Sequence, residues 1–98
     1  MAVNLILKVN DAPINTDHFV AGFIEHTITA MVASLEGAGK ADNISLSIDG
    51  EIVMIDLNGI HLQTNVFAGR MIKSTIMGML VPLKGVKDIK KVSIVIQK

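Results

Sequence analysis

Three histidines, a Glu-His pair, five serines and a run of lysines are the residues of this 98-residue chain whose types and spacing could do chemistry. A helical metal site needs two imidazoles one turn apart, or an imidazole and a carboxylate at that spacing. His18 and His26 are eight residues apart, about 12 Å along a helix axis, so one ion cannot reach both. They read as solvated or locally hydrogen-bonded, as does His61 in a hairpin return. Glu25-His26 could be an acid/base couple, but neighbours on a helix point about 100° apart. Ser34, Ser45, Ser47, Ser74 and Ser93 lack the strained Gly-x-Ser-x-Gly turn that exposes a nucleophile. There is no cysteine, which removes thiolates, disulfides and Cys-based metal sites. Gly37-Ala38-Gly39-Lys40 looks like a phosphate loop, yet it lacks the Gly-x-x-x-x-Gly-Lys-Ser/Thr spacing and leads into a strand. It reads as a helix terminator and loop. No enzyme activity is expected, and no catalytic, cofactor-binding or metal-binding residue is assigned.

Lys84, Lys87, Lys90 and Lys91 form the one basic cluster. Four lysines can neutralise phosphates. No Tyr or Trp is present to stack on bases and no Arg in the cluster reads base edges, so nucleic acid is not expected as a partner. The overall charge of zero hides an imbalance. Residues 1–49 hold Lys8 and Lys40 against six carboxylates, and residues 50–98 hold seven cations against three carboxylates. The sign flips at Glu25/Lys73, Glu36/Lys84 and Asp42/Lys90, pairs 48 residues apart. Opposite charges of this kind favour packing of the two halves on each other; a basic partner surface in the second half is the alternative.

That shift of 48 organises the whole chain. Residues 3–50 laid on residues 51–98 without a gap match at 11 of 48 positions: Asn10/Asn58, Thr16/Thr64, Phe19/Phe67, Ile24/Ile72, Thr27/Thr75, Ile28/Ile76, Met31/Met79, Leu35/Leu83, Gly37/Gly85, Ser45/Ser93 and Ile48/Ile96. Substitutions between them keep their character, as in Val32/Leu80 and Leu46/Ile94, so the chain reads as an internal repeat. Each copy opens on a period-two strand, with Leu5, Leu7 and Val9 or Val53, Ile55 and Leu57 on one face. Asn10-Asp11 and Asn58-Gly59 mark tight hairpin turns. Short returns follow at 12–15 and 60–63, the first limited to an edge by Pro13. Thr16-Asp17 and Thr64-Asn65 can cap helices. Apolar stripes then run along Phe19, Phe23, Ile24, Thr27, Ile28, Met31 and Leu35, and along Phe67, Met71, Ile72, Thr75, Ile76, Met79 and Leu83. Thr27 and Thr75 sit in those stripes with hydroxyls able to bond back one turn. Gly37 and Gly85 stand where a left-handed terminator belongs. A closing strand follows in each copy, and Asp49-Gly50 turns one copy into the next.

The order β(β)αβ–β(β)αβ predicts an α+β fold: a ferredoxin-like two-layer sandwich with two helices on one face of an antiparallel sheet. Residues 1–98 form a single domain of two tandem repeats, 3–50 and 51–98. The pattern Asn-(Asp/Gly)-x-x-(Ile/Leu)-x-Thr-x-x-Phe, followed by a helix carrying Thr-Ile and ending Leu-(Glu/Lys)-Gly, resembles small uncharacterised prokaryotic proteins. The resemblance covers the whole chain and implies no activity, cofactor or site residue.

Half of the residues are hydrophobic, 18% are charged, and the aromatics are Phe19, Phe23 and Phe67 alone. The core is therefore expected to be aliphatic. No basic segment, apolar run and cleavage site open the chain, and no apolar run is long enough for a membrane span, so a cytoplasmic protein without membrane contact is expected. The second helix is apolar on most sides, and a two-layer domain covers only one. Met77, Leu80 and Val81 are the candidate self-association surface, with Ile6, Ile52 and Met54 on the sheet as a weaker one. The function expected is a non-enzymatic structural or protein-interaction domain, most simply a homodimer. A small-molecule-binding regulatory module is the alternative, by analogy of fold.

Overall fold

Period-two alternation of aliphatic residues builds the strands seen in the computed structural model, which describes residues 4–35, 42–62, 64–83 and 86–97. Strand β1 (Asn4–Val9) turns back through Asn10-Asp11 into the two-residue β2 (Ala12–Pro13). Both turn residues have positive φ, 51° and 67°, the type I′ geometry that suits the twist of a hairpin. Helix α1 (His18–Ala33) and strand β3 (Asn43–Asp49) follow. Gly50, at φ 61°, turns the chain into β4 (Ile52–Leu57), and Asn58-Gly59 turn it again into β5 (Ile60–Leu62). Helix α2 (Val66–Leu80) and strand β6 (Lys91–Gln97) complete the order.

All strand pairs are antiparallel, in the order β2-β1-β6-β3-β4-β5. The fold is α+β, as expected, but the strand order is not the ferredoxin-like one. A ferredoxin-like sheet keeps its first and third long strands in the middle; here the second and fourth, β3 and β6, hold it. The hairpin returns supply the physical reason. Strands β2 and β5 fold back along one side of β1 and β4, so those two strands have a single free side each and take lateral places.

Register sets the core. Leu7, Ile94, Leu46 and Ile55 lie abreast across four strands, flanked by the row Val9, Val92, Ile48 and Val53. Ile24, Ile28 and Val32 of α1 and Ile72, Ile76 and Leu80 of α2 join the buried strand residues in one cluster. Each such aliphatic side chain stabilises by about 1.5–3 kcal/mol when fully buried. Both helices therefore cover the same face of the sheet. Strands β1 and β3 run one way and β4 and β6 the other, so the helices linking β1 to β3 and β4 to β6 run in opposite directions. The result is a slab 35 × 34 × 18 Å, one sheet and one helical layer thick.

Positions 48 apart make corresponding hydrogen bonds. The Asn10 Oδ1 accepts from the amides of Lys90 and Lys91 at 2.8 and 3.0 Å, and its Nδ2 donates to the carbonyls of Lys87 and Asp88 at 3.3 and 2.9 Å. Asn58 Oδ1 accepts from the amides of Asp42 and Asn43 at 3.2 and 2.9 Å. Each asparagine thus ties its hairpin turn to the segment that leads into a central strand of the other half. The helix caps correspond as well: Asp17 Oδ1 accepts from the Val20 amide at 2.8 Å, and Asn65 Oδ1 from the Ala68 amide at 2.7 Å. These bonds satisfy backbone donors that the first turn of a helix leaves free. Gly37, Gly85, Lys84 and the Gly37–Lys40 segment lie outside the described residues.

Candidate interaction surface

The helical layer corrects the expected stripes. In α1 the side chains that reach the sheet are Ile24, Ile28 and Val32, and in α2 they are Ile72, Ile76 and Leu80. Phe19, Phe23, Phe67 and Met71, which lie on the expected apolar stripes, point away from the core and are 74%, 52%, 71% and 56% exposed. The reason is angular. A flat sheet touches a stripe of only about 100° on a helix, and a four-residue ladder such as 24-28-32 fills it. Apolar residues to either side are left outside.

The same rotation corrects the candidate surface. Leu80 is 0% exposed and belongs to the core, Met77 packs against the core, and Val81 alone of the three is exposed. Met77, Leu80 and Val81 therefore form no continuous patch. The outer surface of the layer consists instead of His18, Phe19, Phe23, His26, Ala30 and Ala33 on α1, with Val66, Phe67, Arg70, Met71, Ser74, Thr75 and Gly78 on α2. Arg70 is the one arginine, lysine or acid among the exposed helical positions. Phe19 and Phe23 form a tilted ring pair with centroids 6.0 Å apart. At the opposite end of the layer an apolar hollow of about 230 Å³ lies between the helices, lined by Met31, Ser34 and Leu35 from α1 and by Ala68, Met71, Ile72 and Thr75 from α2. Two hydroxyls at this end are turned inward on their own helices. Ser34 Oγ donates to the Ala30 carbonyl at 3.0 Å, and Thr75 Oγ1 donates to the Met71 carbonyl at 2.8 Å. They present their carbon sides outward and add little polarity.

Polar groups elsewhere are mostly engaged locally. Glu25 is buried, and its Oε2 lies 3.2 Å from Nε2 of the exposed His26. Sequence reasoning had them diverging. His61 Nδ1 sits 3.3 Å from Asp56 Oδ1 on neighbouring strands. Lys73 Nζ donates to Glu51 Oε1 at 3.0 Å. That pair borders an open groove of about 430 Å³ beside the start of α2, where Arg70 is the second cation. With Lys73 matched by Glu51, the pull of this groove on an anion is small. The open face of the sheet exposes Ile6, Ile52 and Met54. Ile6 on β1 lies beside the half-buried Val95 of β6, and this pair is separated from Ile52 and Met54 by Ser45 and Ser47 of β3, so the apolar area is interrupted. Lys87, Lys90 and Lys91 are exposed, and all three belong to the segment that Asn10 holds.

Among the described residues, no helix is long and apolar enough to cross a membrane. Comparison with known protein families, curated proteins and solved structures finds no match to this chain. The signal that identifies this surface in the sequence is the width of the stripes: each runs over seven positions, five of them apolar residues within the helix, more than one flank of a sheet can bury.

Proposed function

We propose that this protein is a non-enzymatic interaction domain that self-associates through its helical layer, most simply as a homodimer. One observation carries the reading. All three phenylalanine side chains lie on the outside of that layer, among Val66, Met71, small residues, two histidines and a single arginine. Monomers seldom leave contiguous apolar patches beyond a few hundred Å² in water, and aromatic residues and arginine are enriched where proteins meet. We also read the chain as a tandem pair of ββαβ units. The gapless shift of 48, the reciprocal Asn10 and Asn58 bonds and the corresponding helix caps support that reading.

Light scattering after size exclusion at micromolar concentration tests the self-association. The expected mass is that of a dimer for the wild type and for Val81→Lys, which lies at the margin of the layer. A monomeric wild-type mass up to roughly 100 µM, where even weak specific dimers form, overturns it.

A further inference from the structure

Helix α1 carries an aromatic pair at its start and borders a hollow at its end, with Phe67 of α2 standing beside that hollow, and this layout is what specifies a partner. The Phe19–Phe23 pair rises at the start of α1. The hollow lies about twelve residues further along the same helix, roughly 18 Å at helical rise, between Met31, Leu35 and the first turns of α2. The corresponding place beside Phe19 has no such room in its composition. Where the hollow is lined by Ala68, Met71 and Ser34, the positions 48 away carry the bulkier Val20, Phe23 and Pro82.

Resting on the self-association reading, we infer that the occupant of the helical layer is a second copy of this chain, joined about a twofold axis that lies between the two layers and crosses α1 near Thr27. Such an axis reverses α1 against its counterpart. It lays the Phe19–Phe23 pair of each copy over the Met31–Leu35 hollow of the other, so two identical contacts form at once, as a twofold interface requires. Ala30 and Ala33 leave room for the helices to approach. At roughly 200 Å² per phenylalanine side chain, the three rings expose about 400 Å², half of the ~800 Å² that each partner brings to a specific dimer. The rest of the layer is available to supply the remainder. Arg70 is the sole arginine, lysine or acid among the exposed positions on α1 and α2, so face-to-face stacking buries few charges. An arrangement that buried Lys8, Asp49, Asp56 and Lys91 on the sheet face would bury several.

The chain has no cysteine, so a single introduced thiol reports proximity without background. His26 is exposed and one residue from the inferred axis. Under mild oxidation the His26→Cys variant is expected to form a disulfide-linked dimer. Phe23→Asp removes the aromatic pair and Ser34→Trp fills the hollow. Each is expected to weaken the dimer by at least ~30-fold, the effect of a hot-spot residue, with unchanged circular dichroism because both positions are exposed. A dimeric mass that survives both substitutions, with no crosslink at position 26, overturns this arrangement while self-association stands. A monomeric wild type overturns self-association itself and this arrangement with it.

Discussion

Leu46 and Ile94, 48 residues apart in the chain, lie directly opposite each other on β3 and β6, the two central strands. Both are buried, at 1% and 0% exposure. Their outer neighbours are Ile55 and Leu7, again 48 apart. The core is thus laid out in corresponding pairs about the middle of the sheet, and each pair should respond alike to truncation.

Ile28 and Ile76 are both 0% exposed at the centre of their helices. Ile28→Ala and Ile76→Ala are each expected to cost about 2–5 kcal/mol, the transfer term plus the cavity left behind. Urea denaturation measures both. A value under about 1 kcal/mol at either, typical of surface changes, contradicts the packing described.

Asn10 and Asn58 have φ of 51° and 52° and tie their turns to Lys90-Lys91 and Asp42-Asn43. Glycine tolerates that backbone without strain, so Asn→Gly isolates the side-chain bonds. Each substitution is expected to destabilise by about 1–3 kcal/mol; at position 10 the loss includes the Nδ2 bonds to the Lys87 and Asp88 carbonyls. Equal stability of Asn10→Gly and wild type in denaturant would show that water replaces those bonds at no cost.

Asp11 sits at φ 67° where the other half has Gly59 at φ 82°. A residue with a Cβ loses about 1–2 kcal/mol in this region, although Asp loses less than most. Asp11→Gly is therefore expected to raise stability by up to about 1 kcal/mol, seen as a higher melting temperature. A lower one would mean that the aspartate makes a contact of its own in the turn.

If the helical layer is an interface, native-state stability depends on protein concentration, because association draws on the folded form alone. The melting temperature of the wild type is expected to climb across a hundredfold concentration series. That of Phe23→Asp is expected to stay flat. A flat wild-type series contradicts self-association through this layer.

The sequence by itself determined the local elements and their order. Asn10-Asp11, Gly50 and Asn58-Gly59 dictate hairpin turns because few residues accept positive φ there. Asp17 and Asn65 start helices because their side chains satisfy free amides, and alternation of Leu, Ile and Val defines the inward strand face. These signals are local, and each is carried by a few adjacent residues. Tertiary structure alone decided which strands are neighbours and which part of each helical stripe is buried. Strand order is set by β2 and β5 closing the outer sides of β1 and β4, a competition between distant segments. Helix rotation is set by the sheet beneath. It put Leu80 inside and the phenylalanines outside, although hydrophobicity alone ranks them together. A helical period shows that a face exists; the element packed against it chooses how much of that face is core and how much is left for a partner.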